Sequence, residues 1–416
     1  MLTFGLKAIV CADSLKRSPL LPGASLNRRR GWKLSLFYIL IRTAVIFAML
    51  NRAGAPQADT TLHKQARKIM GTFCEVQIYD ADSERADKAI AAALGEMERV
   101  DGFLSNYAAA SELSAVNREA SRSPVHVSRE LFLFFTLCRT FHEQTMSAFD
   151  PTVGPLVRAW GFFTAHPAKP SDADIAAARA KSGFDKIVLN GKDGTVFYRV
   201  AGMEMDPGGI GKGYAVDRAV DVLNKLGVRS ALVSAGGSTL FAVGHPPGRD
   251  SWRIAIKNPL DSEHPYAIVR LKNASLSTSG VSEKSVQVGS HRYSHIFDPR
   301  TGAPVEGVCQ ASVVAATATE SDALTKAVFI LPQDAVNRLF KNRKATHALK
   351  VEGGCDEPSS LWITPWSSAI FMLGDRARNE RKAKAISSEP LRPRSPQRRQ
   401  HALPGGLNIT LRPLCY

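Results

Sequence analysis

The sequence predicts an α+β fold, with mixed sheet and packed helices, and three observations carry that reading. Strand-like and helix-like apolar periods both occur between residues 60 and 373. They follow one another without the strict strand–helix–strand repeat that a parallel sheet requires. The composition is that of a folded globular chain: 416 residues, 44% hydrophobic and 22% charged, with glycine and proline near average usage.

In chain order, residues 70–79 alternate apolar and polar side chains as a strand does. Residues 83–103 follow with Ala86, Ile90, Ala93, Leu94, Met97 and Val100 at helical spacing. Residues 128–146 make a second helix, opened by Ser128 as its cap and rich in Leu and Phe. A third helix over 212–226 has its stripe at Ala215, Ala219, Val222, Leu223 and Leu226. A strand over 229–234 runs into Ala235-Gly236-Gly237-Ser238. Segments 252–257, 266–271, 293–297 and 309–315 are strand-like, and residues 321–329 begin a helix.

The net charge of +16 sits at the ends of the chain. Residues 1–55 hold +8 and residues 374–416 hold +7, which leaves +1 for the body. A phosphate backbone is gripped by charge on a folded face, so the composition gives nucleic acid no support and no such partner is expected. Arg28-Arg29-Arg30 with Lys33, the apolar run 34–50 and Ala53-Gly54-Ala55 read as an export signal. Arg42 interrupts the apolar run and argues for a cleaved signal over a permanent anchor. The body 60–373 is then expected in the periplasm, or facing it at the inner membrane. Residues 374–416 lack apolar periodicity and are expected to be a disordered basic tail. Six scattered cysteines without a C-x-x-C pair argue against a zinc site and imply no disulfide framework. They read as small buried hydrophobes.

Three turn-rich clusters and one helix start are where chemistry would sit. Asp206-Pro207-Gly208-Gly209-Ile210-Gly211-Lys212-Gly213 precedes the third helix. Small residues let a phosphate approach the backbone, and a helix N-terminus supplies N–H donors. Gly213-Tyr214 stands where a P-loop needs Ser or Thr, so the run is not that motif. Ser277-Thr278-Ser279-Gly280 reads as a small polar turn. His295, Asp298 and Arg300 fall within six residues, followed by Thr301-Gly302. Asp322 opens an otherwise apolar helix, with Thr325 one turn on. Each has an ordinary reading too: a tight turn, a loop, a packed histidine, a helix cap.

In order, these segments resemble the ApbE family of FAD:protein FMN transferases. The likeness runs from Met70-Gly71-Thr72 through Ser105-Asn106-Tyr107 and Phe149-Asp150-Pro151-Thr152 to the 206–213 loop. It continues with Val216-Asp217, Ser234-Ala235-Gly236-Gly237, the 277–280 turn, His295 to Gly302, and Asp322-Ala323-Leu324. The resemblance implies an ApbE-like domain that binds FAD and Mg²⁺, splits the pyrophosphate and releases AMP. FMN would pass through a phosphoester to a Thr or Ser of an acceptor flavoprotein subunit. It places Met70, Tyr107, Ala148, Phe149, Asp150, Asp206, Lys212 and Ile296 against FAD. Gly209 through its carbonyl, Asp322 and Thr325 would hold the metal. His295 is expected to be the base that takes the acceptor's proton, oriented by Asp298. One departure stands out, since the family's second metal-binding Thr lies four residues after the Asp. Here that position is Lys326, and Thr325 arrives one residue early. The departure keeps open an exported FAD-binding protein without transferase activity.

Overall fold

A computed structural model describes residues 60–162, 168–258, 263–281, 285–288, 291–353 and 358–374. The signal expected over 1–55 and the tail from 375 onward lie outside the described residues.

Among the described residues, eight strands form one sheet, each antiparallel to its neighbours and next to the strand that follows it in the chain. They are β1 (Thr61–Ile69), β2 (Thr72–Asp80), β3 (Ala231–Ala235), β4 (Thr239–Val243), β5 (Ala274–Gly280), β6 (Val308–Ala315), β7 (His347–Gly353) and β8 (Pro358–Ile363). Three helices, α1 (Ser83–Leu104), α2 (Gly211–Lys225) and α3 (Ala318–Ile330), cover one face, with α2 packed against both others. Val76 and Ile78 of β2, Val233 of β3 and Val313 of β6 point into that helical core with Ile90, Leu94, Met97 and Val100 of α1. The other face carries Leu240 of β4, Leu276 of β5 and Val314 of β6. It is covered by a three-stranded sheet of Trp252–Ile256, Ala267–Leu271 and Phe371–Leu373. With both faces covered, every residue of β6 is buried. Alternation is lost there because neither side meets water.

The α+β class holds, and the three long helices stand where apolar spacing put them. Ser128 caps its helix through a bond from the Leu131 N–H. The periodicity missed β1, whose residues are mostly exposed or half-buried at the sheet edge. It also read 277–280 as a turn, whereas these residues are the end of β5. Ser and Thr there gave no apolar signal, because their hydroxyls are bonded inside the protein. The strand expected over 293–297 is two short pieces, His291–Ser294 and Phe297–Asp298. Cys74 and Cys138 are buried free thiols as expected, but Cys309 is disulfide-bonded.

Candidate active site

Two hairpin turns lie side by side at one end of the sheet. Met70-Gly71 joins β1 to β2 with Ile69 opposite Thr72, and Gly236-Gly237-Ser238 joins β3 to β4 with Ala235 opposite Thr239. Met70, Gly71, Gly236 and Gly237 all have positive φ, which in the two-residue Met70-Gly71 turn is the geometry such hairpins favour. Met70 does so without being glycine, at φ 52°, a conformation that costs of order 1–3 kcal/mol. Its N–H is held by Asp101 Oδ2 at 2.9 Å. The Gly236 N–H donates to the Phe73 carbonyl at 2.9 Å, which locks the two turns together.

These turns border a cavity of about 990 Å³, at the upper end for small-molecule sites. Met70, Tyr107, Ala148, Phe149, Asp150, Asp206, Gly209, Lys212, His295 and Ile296, all singled out in the sequence, are brought together along its lining. Tyr107 is 69% exposed at the edge of this cavity. Residues that sequence reasoning missed are Asp101, Lys257 and Gln310. Gln310 is buried on β6, and among the described residues its Nε2 has no hydrogen-bond partner. Isolated polar residues in helices and strands carry no motif, so nothing in the sequence marked them.

Phe149 and Asp150 follow two more strained residues, Met146 and Ser147, both at positive φ. Asp150 is nearly buried. Its Oδ1 accepts from the Thr152 N–H at 2.8 Å and hydroxyl at 2.6 Å, and its Oδ2 from the Phe184 N–H at 3.1 Å. Expected as a ligand contact, its carboxylate is committed to bracing the loop. His142 Nδ1 lies 3.3 Å from Asp150 Oδ2, at an angle that makes no hydrogen bond. Burial pulls the His142 pKa down, but the Asp150 carboxylate, with Asp185 behind it, outweighs this and holds it above its ordinary value. A raised histidine pKa stabilises the fold fully below the unfolded value, and the benefit is lost as pH rises through the folded one. The stability gap between the wild type and His142→Gln should therefore be wider near pH 6 than near pH 8.5. Urea unfolding at both pH values reads it, and an equal gap refutes the ion pair.

The glycine loop is built as a cradle. Asp206 Oδ1 caps the short turn Pro207–Gly209 through the Gly208 N–H at 2.7 Å. The Asp206 N–H donates to the Pro151 carbonyl at 2.6 Å and ties this loop to the Phe149–Asp150 loop. Gly209 rests against the Phe149 ring: a Cβ there would sit 3.3 Å from Phe149 Cε2. α2 begins at Gly211, so its N-terminus opens toward the same space. Lys212 Nζ reaches Ser238 Oγ at 2.8 Å and fixes its charge between the loop and the β3–β4 turn.

α3 is pinned to this cradle at several points. Asp217 of α2 accepts from the Ala318 N–H at 2.6 Å and the Thr319 N–H at 2.8 Å, satisfying the first turn of α3. A Cβ on Gly213 would stand 2.6 Å from the Ala318 carbonyl carbon and 2.9 Å from Asp322 Cβ, so only glycine permits this approach. From the sheet side, Ser275 and Ser277 both reach Ser321 Oγ, at 2.8 and 2.7 Å, and Ser279 reaches Thr325 Oγ1 at 2.9 Å. Thr317 caps α3, so Asp322 stands inside the helix and is not its cap.

Asp322, Thr325 and Gly209 were expected to hold a divalent cation, and neither Asp322 nor Thr325 lines the cavity. The donors present do not fit one. Asp322 is 2% exposed, and its Oδ2 accepts the Gly213 N–H at 3.0 Å. Its Oδ1 and carbonyl oxygen accept from Lys326 Nζ at 2.6 and 3.1 Å, and Thr325 Oγ1 is 3.2 Å from the same nitrogen. The oxygens that a metal would take surround an ammonium.

His295 faces the cavity, but Asp298 does not. Both Asp298 oxygens are held by the Arg300 guanidinium, at 2.8 and 2.7 Å, and Oδ1 also accepts the Arg300 N–H at 3.0 Å. The expected His295–Asp298 partnership gives way to a local turn, in which the Arg300 guanidinium takes both oxygens of the carboxylate.

A glycine cradle at a helix N-terminus, with lysines and an aromatic residue on the same cavity at the end of an antiparallel sheet, makes a candidate nucleotide-binding site. Comparison with known proteins makes this specific. The ApbE family pattern matches residues 70–349, and the chain belongs to that family. A Klebsiella pneumoniae FAD:protein FMN transferase is 30% identical over 80% of this chain and 98% of its own length. A Treponema pallidum protein of the same name is 31% identical over 74% and 90%. Among solved structures, the ApbE protein of Thermotoga maritima has a TM-score of 0.67 at 27% identity, over 74% of this chain and 99% of that one. The flavin transferase ApbE of Vibrio cholerae has a TM-score of 0.66 at 25% identity, over 75% and 99%.

Proposed function

We infer that the chain transfers FMN from FAD to a Thr or Ser hydroxyl of a partner protein and releases AMP. The observation that carries this reading is the convergence of the 206–212 cradle, the Tyr107 ring and His295 on one cavity. FAD brings a diphosphate for the cradle and a flat ring system for the rim. The acceptor oxygen attacks the phosphorus of the FMN half, and the bond from that phosphorus to the bridging oxygen breaks. AMP leaves with the bridging oxygen, and the hydroxyl proton goes to a ring nitrogen of His295. Lys212 and the α2 N-terminus offset the charge on the diphosphate, the main task in phosphoryl transfer. No step runs through a divalent cation, because its expected donors hold Lys326.

Export is part of the same reading. The basic-then-apolar segment at 1–55 supports it, as does the disulfide at Cys309, a bond that persists in oxidising compartments. Among the described residues no helix is long and apolar enough to cross a membrane. The full chain, incubated with FAD and an exported protein bearing an exposed Thr, should add an FMN-sized mass to that protein and release AMP in equal amount. Tight FAD binding with no mass gain on any Thr- or Ser-bearing acceptor would leave a flavin-binding protein instead.

A further inference from the structure

We propose that Lys326 is a built-in cation, standing in the place of a divalent metal, so that this chain binds and splits FAD without one. The inference rests on the flavin-transfer reading above. Its ground is the company Lys326 keeps. Three oxygens converge on its Nζ: Asp322 Oδ1 at 2.6 Å, the Asp322 carbonyl at 3.1 Å and Thr325 Oγ1 at 3.2 Å. The Thr325 hydroxyl in turn donates to the Asp322 carbonyl at 2.7 Å and is joined to Ser279 Oγ at 2.9 Å. An ammonium has three protons and no lone pair, so it needs what this pocket of acceptors offers.

The position is half-buried and faces the cavity. The Lys326 side chain is 18% exposed, and what is exposed lines the cavity beside Gly209, whose added Cβ would stand 3.6 Å from Lys326 Cε. Gly209 belongs to the loop that cradles the diphosphate. A magnesium ion holds its oxygens at about 2.0–2.1 Å, and it would have to take oxygens that Nζ already touches. Two positive centres cannot share them. The ammonium neutralises Asp322 and presents positive charge to the phosphates in one rigid arrangement, whatever the metal content of the solution.

The test uses the full chain with Mn²⁺ or Mg²⁺ as the probe, and begins with binding. FAD affinity, read by quenching of flavin fluorescence, should be the same within about twofold in EDTA and in excess Mg²⁺. Calorimetry should find no Mn²⁺ site in the wild type. Lys326→Thr restores an oxygen four residues after Asp322, and its melting temperature should rise with added Mn²⁺ while that of the wild type stays fixed. The wild-type measurements stand even if that variant folds poorly. FAD binding that requires Mg²⁺, or stoichiometric Mn²⁺ binding by the wild type, overturns the built-in cation and leaves flavin transfer intact. Failure to bind FAD with or without metal overturns both.

Discussion

Replacing His295 by Asn lowers the rate of flavin transfer by about 10²–10⁴-fold, the usual contribution of a general base, while FAD affinity is kept. The separation of rate from affinity follows from where the residue stands. His295 lines the cavity next to Ile296, at some remove in sequence from the 206–213 loop and Lys212, which we propose for the diphosphate. A neutral imidazole accepts the proton, so transfer falls as the pH drops below the histidine's own value, and this acidic limb should vanish in the variant. Asp298 will not tune it, because Arg300 holds both of its oxygens. Parallel loss of FAD affinity and rate, or survival of the acidic limb, would make His295 a binding residue.

Gly213→Ala destabilises the chain by about 1–3 kcal/mol, the usual penalty for overpacking. The sign is informative. In an ordinary helix this substitution helps, by roughly 1 kcal/mol. Here the new methyl would meet backbone, the Ala318 carbonyl group, as well as Asp322 Cβ. Neither can rotate away as the end of a long side chain would. Relief requires α2 and α3 to part, which also weakens the bond from the Gly213 N–H to Asp322. Chemical denaturation should show a lower midpoint at an unchanged slope. A stabilised variant would mean that the two helices separate freely.

How much of this was legible beforehand depended on whether a residue acted through its neighbours in sequence or across the fold. The helix 83–103 was plain because Ile90, Leu94 and Met97 repeat on one face, and the structure buries that face. The glycine loop was visible as a run of small residues before a helix, although by itself such a run reads as readily as a tight turn. β1 was not visible, since an edge strand with one covered face carries little apolar signal. The metal-binding expectation failed for a related cause. The chain shows Asp322, Thr325 and Lys326 as near neighbours, and only the folded helix shows that the lysine curls back onto the other two. Asp298 was misassigned in the same way: its true partner, Arg300, was two residues off but competed unseen.

The hydroxyls between β5 and α3 work as a vernier. Along a strand, side chains on one face recur about every 6.6–6.8 Å, whereas four residues of helix, i to i+4, advance about 6 Å. The two scales nearly match, so the step from Ser277 with Ser321 to Ser279 with Thr325 pairs hydroxyl with hydroxyl, while Ser275 also reaches Ser321. Sliding the helix by one residue in one direction would set Leu324 against the Ser279 hydroxyl, which it cannot pair. A one-residue insertion between Ser321 and Thr325 would break the paired spacing of these two hydroxyls, and with it the placement of Asp322 and Lys326 beneath the glycine loop.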